Sequence, residues 1–205
     1  FASCVQTAFR YNSYIGLAFA QALYGARGLA LMALIVAFVV PLANVVAVSA
    51  LARYRQAAFF AELARNPLII ATLSALVLNI AGVQLHPTLT SFLNKLGTAS
   101  LALGLLCIGA GLTVAALREQ RALLVYLTAV KLLAFPALAW LLARAFALPA
   151  PHAQVVLLFA ALPTASSAYV LAARMGGQPA PVAVIVTVQT ALSAVTLPAW
   201  LALAR

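Results

Sequence analysis

The stretch 157–177, LLFAALPTASSAYVLAARMGG, places a proline and a cluster of hydroxyl side chains in the middle of a long apolar segment. Pro163 has no backbone N–H to donate, and its ring clashes with the preceding helical turn. In hydrocarbon, the carbonyl groups that it frees have no water to bond to. Two interpretations are open at this point. The segment is either a mild proline kink with hydroxyls bonded to their own helix, or a helix unwound near the bilayer midplane whose exposed amides line a substrate cavity.

The composition of the whole chain is that of an integral membrane protein. Of 205 residues, 66% are hydrophobic and only 7% are charged, and the mean hydropathy is +1.13. Such values are typical of a chain whose main environment is the lipid bilayer. The net charge of +10 would suggest nucleic acid in a soluble domain, but here it reflects orientation in the membrane, and no nucleic-acid partner is predicted.

Seven apolar stretches follow one another along the chain: 2–24, 28–52, 66–85, 91–115, 122–147, 153–175 and 182–204. Each has about the twenty residues that a helix needs to cross a bilayer. Because none shows the period-two alternation of a membrane strand, the pattern favours helices over a barrel. The sequence therefore predicts an all-α, polytopic membrane protein of seven transmembrane helices. Asn66 and Pro67 predict the N-cap and first position of the third helix.

The positive charges predict the orientation of these helices. The arginines of the presumed cytoplasmic loops are Arg53, Arg55, Arg65, Arg118, Arg121 and Arg174. Since cytoplasmic loops are enriched in Lys and Arg, the C-terminus is predicted to be external. The predicted location is the plasma membrane, the inner membrane of a bacterium. Because the chain starts at Phe1, within an apparent span, we expect it to be a fragment that lacks earlier helices.

The first apolar stretch contains a counterpart of the proline break, in 9–25, FRYNSYIGLAFAQALYG. Matching Tyr24-Gly25 with Met175-Gly176 puts Asn12-Ser13 opposite Pro163-Thr164. Transporters built from repeats place their two broken helices in equivalent positions. A second polar break is therefore predicted near Asn12, with a hydrogen bond between packed helices as the simpler alternative.

Five segments together resemble the auxin efflux carrier family, which includes bacterial malonate and other carboxylate permeases. They are FRYNSYIGLAFAQALYG, NPLIIATLSALVLNIAG, LALGLLCIGAGL, VKLLAFPALAWLL and LPTASSAYVLAARMGG, and they cover nearly the whole chain in the family's order. The resemblance implies a ten-helix carrier of two inverted five-helix repeats with broken crossover helices. This chain would then hold the last two helices of the first repeat (1–52) and the whole second repeat (66–205).

The resemblance also implies an elevator-type mechanism. By this mapping 66–115 is a scaffold, 1–52 and 118–205 move, 53–65 is a cytoplasmic loop, and the crossover helices are 2–24 and 153–175. The family pattern N-x-x-x-G-x-P has Ala18 in place of its proline here. We therefore expect the first break to be a softer distortion around Asn12 and Gly16.

The predicted substrate is a small organic anion, a carboxylate such as malonate or an auxin-like acid. The predicted binding residues are Asn12, Ser13, Gly16, Lys131, Pro163, Thr164, Ser166 and Ser167. Positive half-helix ends and hydroxyls of such residues attract a carboxylate. Arg10 either faces this cavity or anchors the helix at the headgroups, and the anchor is the preferred interpretation. Trp140 and Trp200 are interpreted as ordinary membrane aromatics.

Lys131 is the deepest charge in the sequence, about ten residues and so about 15 Å into its span. A cation at this depth is costly, and three explanations are open. It snorkels or donates to carbonyls freed by Pro136; it supplies positive potential for an anionic substrate; or it occupies the place where a related carrier would hold a sodium ion.

An enzyme is not predicted, because the only carboxylates, Glu62 and Glu119, lie in loops and the serines of 164–168 have no nearby histidine. No metal or organic cofactor is predicted from the motifs. The coupling ion, proton or sodium, and a homodimer stay open. The alternative functions are a sodium-coupled, bile-acid-type symporter of similar fold, or a membrane interaction protein that does not transport.

Overall fold

The computed structural model describes residues 2–52, 65, 67–111 and 121–203. Within these residues the chain is helical and contains no strand. The helices are α1 (Ala2–Phe9), α2 (Ser13–Ala52), α3 (Pro67–Ile80), α4 (Pro87–Gly111), α5 (Arg121–Ala129), α6 (Phe135–Ala145), α7 (Ala150–Ala161), α8 (Ser167–Arg174) and α9 (Pro179–Leu203). The prediction of an all-α fold is confirmed for this part of the chain.

Three helical runs in the described residues are long and apolar enough to cross a membrane: Ala2–Leu51, Arg121–Ala145 and Pro179–Leu203. The first, of 50 residues, contains both α1 and α2, and this length is enough for two crossings. Two shorter apolar helices cover Ile69–Ile80 and Ala150–Ala161. The seven predicted spans are thus reproduced only in part as continuous helices.

The first predicted break is a full interruption, so the expectation of a softer distortion is wrong. Helix α1 ends at Phe9 and α2 begins at Ser13. Gly16 lies inside α2 and is not part of the break. A Cβ atom added to Gly16 would lie 2.7 Å from Leu162 Cδ1, so the missing side chain lets the two broken segments approach closely.

The second break lies where the proline predicts it. Helix α7 ends at Ala161 and α8 begins at Ser167. Leu162 is extended, with φ −64° and ψ 141°, which is the conformation that a following proline favours. Pro163 therefore interrupts the helix rather than bending it.

The two broken segments share an order of features beyond their breaks. In each, the second half-helix is followed by a glycine with positive φ, 62° at Gly25 and 67° at Gly176. Glycine adopts this conformation without the clash that a Cβ would cause. A long helix with an internal proline, Pro41 or Pro198, comes next. The matching of Gly25 with Gly176 drawn from the sequence agrees with this conformation.

Several helix boundaries differ from the sequence expectations. The predicted stretches 2–24 and 28–52 meet at the sharp turn of Gly25 instead of at a loop. Helix α3 stops at Ile80, short of residue 85, because the chain turns at Gly82 with φ 66°. The predicted cap at Asn66 and most of the positive loop 53–65 lie outside the described residues.

A single π-helical turn, Val130–Ala134, joins α5 to α6. Pro136 has no N–H to donate to the Leu132 carbonyl four residues earlier. In the turn before it, the Phe135 N–H donates to Val130 O, five residues earlier, as in a π-helix. The indole Nε1 of Trp200 donates to Leu132 O at 2.9 Å. Trp200 is therefore not an ordinary membrane aromatic, because its indole satisfies the carbonyl that the proline leaves free.

Replacing Trp200 with phenylalanine is expected to lower the free energy of unfolding by about 1–3 kcal/mol, since a buried carbonyl loses its donor. Thermal unfolding in detergent measures the change. Trp140→Phe is the control, because the Trp140 ring only faces the Arg144 guanidinium, 4.5 Å from its centroid, and phenylalanine offers a similar face. Equal shifts in the two variants would contradict this assignment.

Helix α9 backs the region where the two breaks meet. It packs against α1, α7 and α8. In its middle, Gln189 is fully buried, and its side-chain amide lies 3.5 Å from Thr7 O and 3.4 Å from Leu127 O. The ring of Tyr11 packs edge-on against Phe159, with centroids 4.3 Å apart. The breaks are therefore held inside the helical core.

Candidate functional site

The two breaks lie against each other and are hydrogen-bonded; we call this contact the crossing. The Asn12 N–H donates to Pro163 O at 2.8 Å. The Thr164 hydroxyl donates to Thr7 O at 2.5 Å and lies 3.5 Å from Arg10 O. Backbone groups freed in one segment are thus satisfied by the other, as buried polar groups require. The hydroxyl of Thr164 does not bond back to its own helix. The interpretation of the segment as a mild proline kink with such hydroxyls is therefore excluded for this residue.

Asn12 explains how α2 restarts without the family's proline. Its side-chain Oδ1 accepts from the Ile15 N–H at 3.2 Å, and its carbonyl accepts from the Gly16 N–H at 3.0 Å. This is the geometry of an asparagine N-cap. Helix α2 therefore begins at a local polar cap, and Ala18, where the family pattern has proline, lies inside the helix.

Arg10 lies in the break, and only 6% of its surface is exposed. Its Nη2 donates to the Ser167 hydroxyl at 2.8 Å. Its Nη1 is buried and has no hydrogen-bond partner in the part of the chain that the structure describes. The preferred interpretation of Arg10 as a headgroup anchor is therefore wrong. A buried cationic donor without a partner is costly, so this guanidinium favours an anion beside it.

A polar cavity of about 430 Å³ lies against the crossing; we call it the crossing cavity. Its crossing side is formed by Arg10, Asn12, Ser13, Ser166 and Ser167. Its far wall carries the polar side chains Tyr14, Asn44, Thr72 and Ser100, and apolar residues including Val40, Ala43 and Val170 complete the lining. Helices α2 and α8 both begin at this cavity, so two partially positive helix ends face it together with Arg10.

The structure brings four of the predicted binding residues to the crossing cavity: Asn12, Ser13, Ser166 and Ser167. Pro163 and Thr164 lie behind them and hold the crossing together, Thr164 being fully buried. Neither they nor Gly16 line the cavity.

Lys131 is not among the lining of the crossing cavity. It is 2% exposed, and its ammonium lies 5.6 Å from the centroid of the Phe135 ring. It lines a separate, apolar cavity of about 680 Å³, together with Phe9 at the end of α1 and Phe159 near the end of α7. Because helix C-termini are partially negative, a cation on this side is electrostatically favoured.

Sequence reasoning missed the far wall of the crossing cavity. The Asn44 side-chain amide donates to the Thr72 hydroxyl at 2.9 Å, and the Tyr14 and Ser100 hydroxyls lie 3.3 Å apart. An asparagine inside an apolar span is costly and could have marked Asn44. Ser100 offered no such signal, since isolated serines are common in membrane helices.

Membrane-spanning helices that are broken beside a polar cavity are typical of membrane carriers. Residues 51–201 match the membrane transport protein family, that of the auxin efflux carriers. Since the match covers most of the chain, the chain belongs to this family, and it is a membrane protein of a transporter family. No curated protein and no solved structure gives a significant match. The matched region begins at residue 51, after Arg10 and Asn12, so the first of the two breaks lies outside it.

Proposed function

We propose that the protein is a secondary active transporter of small organic anions, carboxylates such as malonate or auxin-like acids, and that the anion binds in the crossing cavity. The observation that carries the proposal is the guanidinium of Arg10. One of its terminal nitrogens is held by Ser167, and the other is buried without a partner in the described residues. A carboxylate beside this nitrogen would satisfy both its charge and its hydrogen-bonding capacity.

The surroundings of Arg10 support an anion as its partner. None of the described residues is an aspartate or a glutamate, since Glu62 and Glu119 lie outside the described ranges. The first turns of α2 and α8 add partial positive charge at the same place, together with the hydroxyls of Ser13 and Ser166. Such an arrangement stabilises a bound anion without a metal ion.

The mechanism that we propose is of the elevator type. Residues 66–115 form the scaffold, and 1–52 with 118–205 form the part that moves, carrying the crossing with it. A proton or sodium gradient drives transport. The protein lies in the bacterial inner membrane with its C-terminus outside, and a homodimer is its proposed assembly. Membership of a transporter family supports transport itself. The division into a scaffold and a moving part, and the coupling to a proton or sodium gradient, are further parts of the proposal.

Uptake into proteoliposomes tests this function. The full-length protein is reconstituted and given radiolabelled malonate or indole-3-acetate, each with an imposed proton gradient, a sodium gradient or none. Saturable uptake above protein-free liposomes is expected for at least one of the two. Dependence on sodium alone would favour the bile-acid-type alternative. Absence of uptake of either acid under every gradient would overturn the proposal and favour a role without transport.

A further inference from the structure

We infer that Asn44 has two bonding positions on α3, Thr72 and Asn79, and that the transport cycle moves it from one to the other. The inference rests on the proposed function, because it takes the movement of 1–52 against the scaffold 66–115 from the elevator mechanism. It goes beyond that function in naming the contact that breaks, the contact that replaces it and the distance between the two.

The contact between Asn44 and Thr72 joins the two parts that would move against each other. Asn44 lies in the last third of α2, in the proposed moving part, and Thr72 lies in α3 of the proposed scaffold. The Asn44 side-chain amide donates to the Thr72 hydroxyl at 2.9 Å, and Asn44 is 4% exposed. A hydrogen bond does not survive a displacement of several ångströms. Any sliding of α2 along α3 therefore breaks this contact.

Asn44 needs a new partner once this contact is broken. A buried amide without a hydrogen bond is costly, above all in the hydrocarbon region of a membrane, where no water replaces the partner. The hydroxyl of Thr72 has a local alternative, since a threonine can donate to the carbonyl four residues earlier in its own helix. The amide of Asn44 carries two N–H donors and one carbonyl acceptor, so it requires a polar side chain wherever it comes to rest.

Asn79 lies on the face of α3 that already packs against α2. Ile69 is 4% exposed and belongs to one apolar cluster with Ala47 of α2. Thr72 and Leu76 follow Ile69 at helical spacing and are half-buried, and Asn79 comes next in the same series and is exposed. Residues three and four positions apart share one face of a helix. The packed stripe of α3 thus ends in an exposed asparagine.

The spacing of the two positions defines one displacement. Thr72 and Asn79 are seven residues apart, which is nearly two full turns and about 10 Å along the axis of α3. Between them on this side of the helix lie Ala75 and Leu76, whose side chains cannot form a hydrogen bond. Asn44 is therefore bonded at each end of the step and unbonded between the ends, so the two end positions are the stable ones.

Paired cysteines test the inference in the full-length protein after its native cysteines have been replaced. Asn44→Cys is combined with Thr72→Cys or with Asn79→Cys, and each pair is treated with Hg²⁺, which bridges two thiolates. Both pairs are expected to crosslink. Each bridge is expected to stop uptake of a labelled carboxylate until excess thiol removes the metal. Asn44→Cys with Val77→Cys is the matched control, because Val77 is exposed near Asn79 but lies on the opposite face of α3.

The outcomes separate the inference from the proposed function. If the Asn79 pair crosslinks no more than the Val77 pair does, or if the bridged Thr72 pair still transports, the inference is overturned, while uptake by the unbridged protein keeps the proposed function. If the unmodified protein transports no carboxylate, the proposed function fails and the inference fails with it.

Removing the second partner provides a test without cysteines. Asn79→Leu is expected to lower the maximal rate of uptake about tenfold, with Kd for the carboxylate within roughly threefold, since Asn79 does not line the crossing cavity. Asn79→Thr should recover most of the rate, because a hydroxyl is the group that Asn44 meets at Thr72. Ser74→Ala is the matched control, as Ser74 is exposed on the face of α3 opposite to Thr72. Equal rates in Asn79→Leu and Ser74→Ala would contradict the inference.

Discussion

Replacing Arg10 with glutamine is expected to abolish most of the affinity for a carboxylate. Removing one partner of a buried, hydrogen-bonded charge pair costs about 2–5 kcal/mol, which corresponds to a loss of roughly thirtyfold to 5,000-fold in Kd. The upper part of this range is expected here, because Arg10 is 6% exposed and is the one cation among the described lining residues. Equilibrium binding of a labelled carboxylate to the full-length protein in detergent measures the loss.

Two further variants separate recognition from net charge. Arg174→Gln removes the same charge from an exposed position in the last turn of α8 and is expected to leave Kd within about threefold. Arg10→Lys keeps the charge but loses the planar fork that engages Ser167 and the ligand at once, so it should fall between the two. If Arg10→Gln binds the carboxylate as tightly as Arg174→Gln does, the guanidinium is not the anion's partner.

Replacing Thr164 with valine is expected to weaken the crossing itself. Valine keeps the shape of the side chain but has no donor, so the contacts of the hydroxyl with Thr7 O and Arg10 O are lost. The loss of a buried hydrogen bond is expected to lower the free energy of unfolding by about 1 kcal/mol, because Thr7 O keeps only the long contact with the Gln189 amide at 3.5 Å. Arg10 lies in the segment to which the Thr164 hydroxyl is bonded, so the mutation should also displace the guanidinium. A fall in carboxylate affinity of at least tenfold is therefore expected together with the loss of stability.

Thr190→Val is the matched control for this change. The Thr190 hydroxyl donates to Val186 O at 2.8 Å within the same helix, and that carbonyl can keep its helical hydrogen bond when the hydroxyl is removed. Its effect on unfolding should stay below about 0.5 kcal/mol, with no change in binding. A Thr164→Val protein as stable as Thr190→Val, with unchanged affinity, would show that the two breaks do not depend on this contact.

The breaks could be predicted from the sequence because their causes are local. Pro163 ends its helix through its own missing N–H and its effect on the residue before it. Matching Tyr24-Gly25 with Met175-Gly176 in the sequence pairs two glycines that both have positive φ. The first break is deeper than the sequence predicts, because Ala18 in place of the family's proline favours a softer distortion, whereas the side chain of Asn12 caps a new helix without any proline.

The side-chain partners could not be predicted, because they come from distant parts of the chain. Arg10 bonds to a serine 157 positions away, and only the folded crossing decides that this arginine turns inward. Trp200 meets a carbonyl 68 positions away, in the turn before Pro136. For Lys131, depth in a span says nothing about which cavity the ammonium lines. Hydropathy gives the distance along the membrane normal, but not the direction in which a side chain points.

The crossing has an electrical polarity. Helices α2 and α8 begin on the side of Arg10, whereas α1 and α7 end on the side of Lys131, so the partial charges of the half-helices have opposite signs on the two sides. An anion that is stabilised on the Arg10 side would meet partially negative carbonyl ends if it passed through the crossing. If a gate simply opened between the two cavities, the electrostatic energy of the anion would therefore rise as it passed from the Arg10 side to the Lys131 side. In the elevator mechanism proposed above, the crossing would instead carry its anion as one body and expose the same face on each side of the membrane.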